Sequence, residues 1–242
     1  MSNSRDIRAL RELISRRFPE AVARSLPEHG VLPSGIAELD SLLPEGLPRG
    51  ALTLVTGGPS SGKTGLALAF AASMTREGGS LAWVHGGAFS APSADHSGVD
   101  LSRLLHIQAE SRDEALRCAD FALRWQAFHL VVLDWHWGGG SGAAWNRLHR
   151  LVTGGVSALL VLTPPLRAGS PLLYCASVHL RASRQGLGDS SLGEIELELM
   201  KSRFQAAGVS ATLRYGEVAG APFALLPDLP GLGQAWNEDR EK

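Results

Sequence analysis

Gly57-Gly58-Pro59-Ser60-Ser61-Gly62-Lys63-Thr64 is the stretch that decides how this chain folds. Its pattern, G-x-x-x-x-G-K-T, is that of a phosphate-binding loop. Each residue type has a physical reason to be there. The glycines let the backbone curl until several N–H groups converge on one anion. Lys63 brings a point charge for β- and γ-phosphates, and the Thr64 hydroxyl is a Mg²⁺ ligand. The flanks agree. Residues 51–56 form a short apolar run of strand type, and residues 65–74 are strong helix formers. Strand, glycine loop and helix N-terminus together make an anion site. Gly57, Gly58, Pro59, Ser60, Ser61, Gly62, Lys63 and Thr64 are therefore the candidate nucleotide-binding residues. The loop alone leaves open whether a bound nucleotide is hydrolysed.

Working outward, the chain has 242 residues, of which 44% are hydrophobic, enough for one large domain with a sizeable core. The formal net charge is −1, so no overall basic field draws it to nucleic acid. Any contact with DNA has to be local or come through a partner. The two cysteines, Cys118 and Cys175, lie in apolar segments without metal spacing and read as reduced core residues. No run of 18 apolar residues and no signal-peptide pattern is present, so the expectation is a cytosolic protein with no membrane partner.

Before the loop, residues 5–17 read as an amphipathic helix with Ile7, Leu10, Leu13 and Ile14 on one face. Residues 1–24 carry six arginines against three acids. That composition fits a solvated face on its own domain or an arm that docks on a neighbouring protein. Pro27 to Pro48 is a connecting region with a short helix that Ser34 is placed to cap. After the loop helix, Gly78-Gly79 ends the helix, residues 80–85 form a strand, and Gly86 to Gly98 read as a loop. Ser111 and Glu114 form a capping box that opens the next helix. Residues 128–133 and 157–163 are buried strands, the second stopped by Pro164-Pro165. From Tyr174 to Tyr215 strands follow without helices, and Glu194, Glu196 and Glu198 alternate with Ile195, Leu197 and Leu199. The expected fold is α/β: a mainly parallel sheet flanked by helices, with antiparallel edge strands on the C-terminal side.

Asp134 ends one of the buried strands, 71 residues after Lys63. A phosphate-loop NTPase keeps its Mg²⁺-holding acid at such a strand end. A plain strand-end cap is the alternative. With Asp134 in place the chain resembles a family. Leu32-Pro33-Ser34-Gly35, Leu39-Asp40, Gly46-Leu47-Pro48-Arg49-Gly50, the phosphate loop, Gly98-Val99-Asp100-Leu101 and Val131-Val132-Leu133-Asp134 follow one another as in RecA-like recombinases. Tyr174 to Leu180 and Tyr215-Gly216-Glu217 resemble the strand end and closing hairpin of the same core. Among shortened RecA relatives the chain is most similar to the ImuA accessory proteins, encoded beside an inactive Y-family polymerase homologue in bacterial mutagenesis cassettes.

The resemblance implies a RecA-like P-loop core over residues 31–230, an arginine-rich helical arm over 1–30 and a frayed tail over 231–242. It implies ATP and Mg²⁺ as cofactors, with Thr64 and Asp134 as metal ligands. It also exposes departures. The RecA glutamate that activates water matches Gly87, and the RecA glutamine that senses the γ-phosphate matches Pro165. Glycine cannot orient water and proline has no side-chain donor. The expectation is a site with no catalytic residue of its own and little or no ATPase activity. The two DNA loops of RecA match short segments here, Trp135 to Ser141 and Arg167 to Pro171. The aromatics of the first fit either base stacking or packing over the sheet edge. Contact with single-stranded DNA is expected to be weak or indirect. Lys201-Ser202-Arg203 matches the spacing of two basic residues that RecA subunits offer to a neighbour's nucleotide, or else is a solvated basic turn. Lys201 and Arg203 are therefore the candidate partner-interface residues, with RecA and a cassette polymerase homologue as the implied partners. The competing expectations are an active ATP-dependent DNA-binding paralogue and a P-loop regulatory module outside DNA repair.

Overall fold

The computed structural model describes residues 29–43, 45–185, 192–218 and 221–226. The expected helix over residues 5–17 and the expected tail lie outside the described residues.

The strand expected before the phosphate loop is Leu52–Thr56 (β3), and it sits in the middle of a nine-stranded sheet. The short strands Val31–Leu32 (β1) and Leu47–Pro48 (β2) pair antiparallel ahead of it. Leu81–His85 (β4), Leu104–Gln108 (β5), Leu130–Asp134 (β6) and Ala158–Thr163 (β7) lie to one side, and all their pairings are parallel. Val178–Gln185 (β8) lies parallel to β3 on the other side. Leu192–Ser202 (β9), Ser210–Val218 (β10) and Ala221–Leu226 (β11) then extend the sheet antiparallel. The sheet order is β11-β10-β9-β8-β3-β7-β6-β4-β5. The chain thus crosses from β3 to β4 and returns through β6 and β7. Open α/β sheets bind ligands outside the carboxyl ends of their strands, which is where the loop after β3 begins.

The parallel strands are apolar at nearly every position because both of their faces are covered. Helix Lys63–Arg76 (α2) covers one face, with Leu66, Ala67, Phe70, Ala71 and Met74 packed toward Val55, Trp83, Val132 and Leu160. Helices Arg112–Trp125 (α4) and Gly142–Thr153 (α5) cover the other, over Leu54, Val84, Val131, Leu133 and Val161. In α4 the inward residues include Ala115, Ala119 and Ala122, whose small side chains let the helix axis approach the sheet closely. On β9, Ile195, Leu197 and Leu199 are buried while Glu194 is exposed, the expected half-covered strand.

Several local expectations are modified. Helix Ala37–Ser41 (α1) starts after Ile36, and Ser34 does not cap it. Instead the Asp40 carboxylate reaches back to accept from the Ser34 and Gly35 amides at 2.8 and 3.2 Å. At α4 the Ser111 hydroxyl accepts from the Glu114 amide at 3.3 Å, but the Glu114 carboxylate bonds the Glu110 amide at 2.9 Å. The segment 86–98 contains a helix, Ala91–His96 (α3), capped by Ser90 and with Pro in its first turn. Proline is tolerated there because the first-turn amides have no intrahelical partner. Strand β5 and the short helix Pro171–Cys175 (α6) are also additions, so Tyr174 and Cys175 end a helix and the strand begins at Val178. Gly78 does end α2 in the left-handed conformation, φ 88°, and the next amide, that of Gly79, bonds the Met74 carbonyl at 3.0 Å.

Candidate functional site

The loop from Gly57 to Gly62 joins the end of β3 to α2. Ser60 and Gly62 carry it round with φ of 56° and 88°. Gly62 has a second reason to be glycine, because a Cβ there would overlap the Ile195 side chain of β9. The first intrahelical bond of α2 is Leu66 N–H to Gly62 C=O, 2.9 Å. The amides of Lys63, Thr64 and Gly65 therefore lack an intrahelical acceptor and face the loop, where the helix dipole adds positive potential. Thr64 is exposed. Lys63 Nζ folds back on the loop and donates to the carbonyls of Gly57 (2.8 Å) and Gly58 (2.7 Å) and to Ser61 Oγ (3.2 Å). This arrangement fits a phosphate group. The free amides open the helix at the loop, and the ammonium is already in the loop.

Asp134 stands at the end of β6, two strands from β3, and is half-buried. Burial raises its pKa, opposed by His136, His85 and Lys63. Burial correspondingly lowers that of Lys63, opposed by Asp134. The two groups therefore sit within electrostatic reach of each other, and a carboxylate held in a desolvated place is suited to a cation. Asp134 is in register with His85 on β4, so both side chains lie on the α2 face of the sheet. His85 is buried and shares a hydrogen bond with His106 of β5, and Phe89 stacks on His106 at 4.7 Å. Burial lowers the His85 pKa, with His106 the next cause. This pair of histidines lies on β4 and β5, three and four strands from β3.

Gly87, at the position matched to the water-activating glutamate, faces open space: a Cβ there would meet nothing within 4 Å. Pro165 is exposed just beyond β7. In the segment after Asp134, Trp135 is fully buried and packs edge-on against Trp145 at 4.9 Å and Trp137 at 5.2 Å. Of the two readings of these aromatics, packing describes Trp135. His136 is exposed and stacks on Trp137 at 4.0 Å.

The two members of the basic pair have different surroundings. Lys201 Nζ donates to the carbonyls of Leu173 (2.9 Å) and Tyr174 (3.2 Å), at the end of α6. A cation there compensates the negative end of a helix. Arg203 is exposed, and its guanidinium makes no hydrogen bond or ion pair among the described residues.

Sequence reasoning missed His179. It lies on β8, its Nε2 is 2.8 Å from Thr56 Oγ1, and Thr56 is the residue before the loop. Burial, then Lys201 and Arg181, push its pKa down from 6.5 to about 4. A depressed histidine is neutral in the folded state, so its contribution to stability is fully present above 6.5. It is lost as pH falls toward 4, because the unfolded chain then binds the proton first. Burial also lowers the values of His85, His129 and His149, in the same direction. The unfolding midpoint is therefore expected to drop between pH 6.5 and 4, and His179→Gln to flatten part of that slope in thermal melts. An equal slope in both proteins would contradict the assignment to His179.

Comparison with known proteins follows the same outline. The RecA N-terminal domain family matches residues 21–136, which include the phosphate loop and Asp134 and stop short of Pro165 and Lys201. The chain is similar to the RecA protein of Tropheryma whipplei, 40% identical over 106 residues, covering 43% of this chain and 24% of that one. For RecA of Nocardioides sp. the identity is 39% over 106 residues, covering 43% and 30%. For RecA of Streptomyces avermitilis it is 35% over 128 residues, covering 50% and 34%. The chain thus spans between 24% and 34% of the length of these relatives. In three dimensions it superposes on the RadB recombinase with a TM-score of 0.65 and 23% identity, covering 80% of this chain and 98% of that one. No described helix is long and apolar enough to cross a membrane. Residues 21–136 are homologous to the RecA N-terminal domain, and the chain has the α/β fold of RecA-like recombinases.

Proposed function

We propose that this protein is a RecA-like accessory factor in DNA repair that binds Mg²⁺·ATP and hydrolyses it slowly. One contrast supports the reading. The phosphate loop and Asp134 are assembled, while the position matched to the water-activating glutamate is Gly87, facing open space. Lys63 and the free amides at the start of α2 would cradle the phosphates. Thr64 and Asp134 would hold Mg²⁺, which screens phosphate charge. No side chain at position 87 then orients the attacking water, a loss worth roughly 10²-fold or more in general-base catalysis. Wild-type turnover tests this, with Gly87→Glu asking whether position 87 alone limits it. The position has room and an ordinary backbone, so the variant should fold with stability within about 0.5 kcal/mol of wild type. Its turnover should remain far below the order of 1 s⁻¹, because Pro165 still lacks a donor. Wild-type turnover on that order would favour an active ATP-dependent paralogue.

The finer reading is an ImuA-like protein of a mutagenesis response that docks on RecA and modulates it, beside a Y-family polymerase homologue. Exposed Arg203 supports a trans-acting basic contact, whereas Lys201 is held by α6. Arg203→Ala should therefore weaken RecA binding and its effect on strand exchange. Unchanged values for both would sink the docking model. Single-stranded DNA remains a weak or indirect partner, since Trp135 is buried and Arg147, on α5, is held by Asp120.

A further inference from the structure

Helix α4 turns Phe121 and Trp125 outward. They are 60% and 62% exposed, one helical turn apart, with ring centroids 5.3 Å from each other. Buried Phe128 backs Trp125 edge-on at 6.4 Å. Two large aromatics this exposed and this close are an apolar patch, which soluble proteins seldom leave uncovered without a use. Basic groups surround it. Arg117 lies one turn before Phe121 on the same face, exposed and without an ion pair among the described residues. Arg124 bonds Asp120 at 2.9 Å, and Arg147 bonds the same carboxylate from α5 at 2.5 and 3.2 Å. Two guanidinium groups thus share one carboxylate, and Arg117 adds a third positive charge beside them. The acids of the first turn are engaged elsewhere: Asp113 with Arg112 at 3.5 Å, and Glu114 with the Glu110 amide at 2.9 Å.

We propose that this face of α4 docks an acidic amphipathic segment of a partner protein, whose apolar side chains cover Phe121 and Trp125 while its carboxylates meet Arg117, Arg124 and Arg147. Charge decides between occupants. The chain's own residues 1–24 carry six arginines against three acids and would be repelled, which argues against a second copy docking through that segment. Nucleic acid is less well matched. The two rings are inclined at 54° and packed on each other rather than spread as a stacking platform. The patch also lies on the sheet face opposite α2, so an occupant leaves the phosphate loop open. The proposal is thus independent of nucleotide binding.

The test uses the full chain without nucleotide and a fluorescein-labelled 16-residue amphipathic peptide with leucines at helical spacing and glutamates elsewhere. A matched peptide with lysines in place of the glutamates is the control. Anisotropy should show saturable binding of the acidic peptide in the micromolar range, weakened at least tenfold by the lysine exchange and by Phe121→Ser with Trp125→Ser. Arg117→Glu should weaken it several-fold, and less so at high salt. The serine variant should melt close to wild type, because both side chains are exposed. The proposal is overturned if the acidic peptide does not bind, or if both peptides bind alike. It is equally overturned if the serine variant instead loses binding to a dT30 strand, or converts an oligomer to monomer in sedimentation.

Discussion

Lys63→Ala is expected to weaken Mg²⁺·ATP binding by roughly ten- to a hundredfold without unfolding the protein. The ammonium is the one cationic side chain inside the loop, and its present acceptors are two loop carbonyls and a hydroxyl. Phosphate oxygens replace those acceptors on binding, so a charged hydrogen bond is gained that alanine cannot make. Such bonds are worth about 1.5–3 kcal/mol, which converts to that range of affinity. The loop is also held by features other than Lys63. Its path is set by Ser60 and Gly62 and by the Gly57 amide bonding the Thr163 carbonyl at 3.2 Å. Titration of a fluorescent ATP analogue into both proteins checks the effect, and equal affinities would mean that nucleotide does not enter the loop.

Trp145→Ala should carry the largest cost in stability. The indole is fully buried, packs on Trp135 at 4.9 Å and donates from Nε1 to the Gly139 carbonyl at 3.4 Å. It therefore ties α5 to the segment that follows Asp134. Truncating a buried tryptophan costs about 3–5 kcal/mol through lost transfer energy and the cavity left behind. For a chain of this size that is a fall in Tm of roughly 6–20 °C. A loss under about 1 kcal/mol in denaturant melts would show that the aromatic cluster does not hold this segment.

Much of the fold is readable in the sequence because the parallel strands are covered on both faces. Residues 128–133 and 157–163 are continuous apolar runs for that reason, and Pro164 marks where the second has to stop. The phosphate loop is readable because its geometry demands glycine and lysine at fixed spacing. What the sequence conceals is pairing across distance. Strand β5 reads as irregular because it is a sheet edge, with Leu105 and His106 exposed and only Leu104 and Ile107 packed in part on the core. Helix α3 is hidden by the Pro, Ser and Gly around it, residues that serve caps as readily as loops. Nothing local tells that His179 meets Thr56, 123 residues away, or that His85 meets His106. The Lys201-Ser202-Arg203 spacing likewise shows two basic residues, and only the placement of α6 beside β9 separates the one that caps a helix from the one that is exposed.

The central claim, a site that takes nucleotide but lacks the group that activates water, is tested most directly by one measurement. Mg²⁺·ATP is titrated into the wild-type protein by calorimetry, and the recovered samples are assayed for ADP. The account predicts saturable one-site binding with turnover far below the order of 1 s⁻¹, the low end of ordinary enzyme rates. Absence of binding at millimolar nucleotide, or turnover at or above that rate, would contradict it.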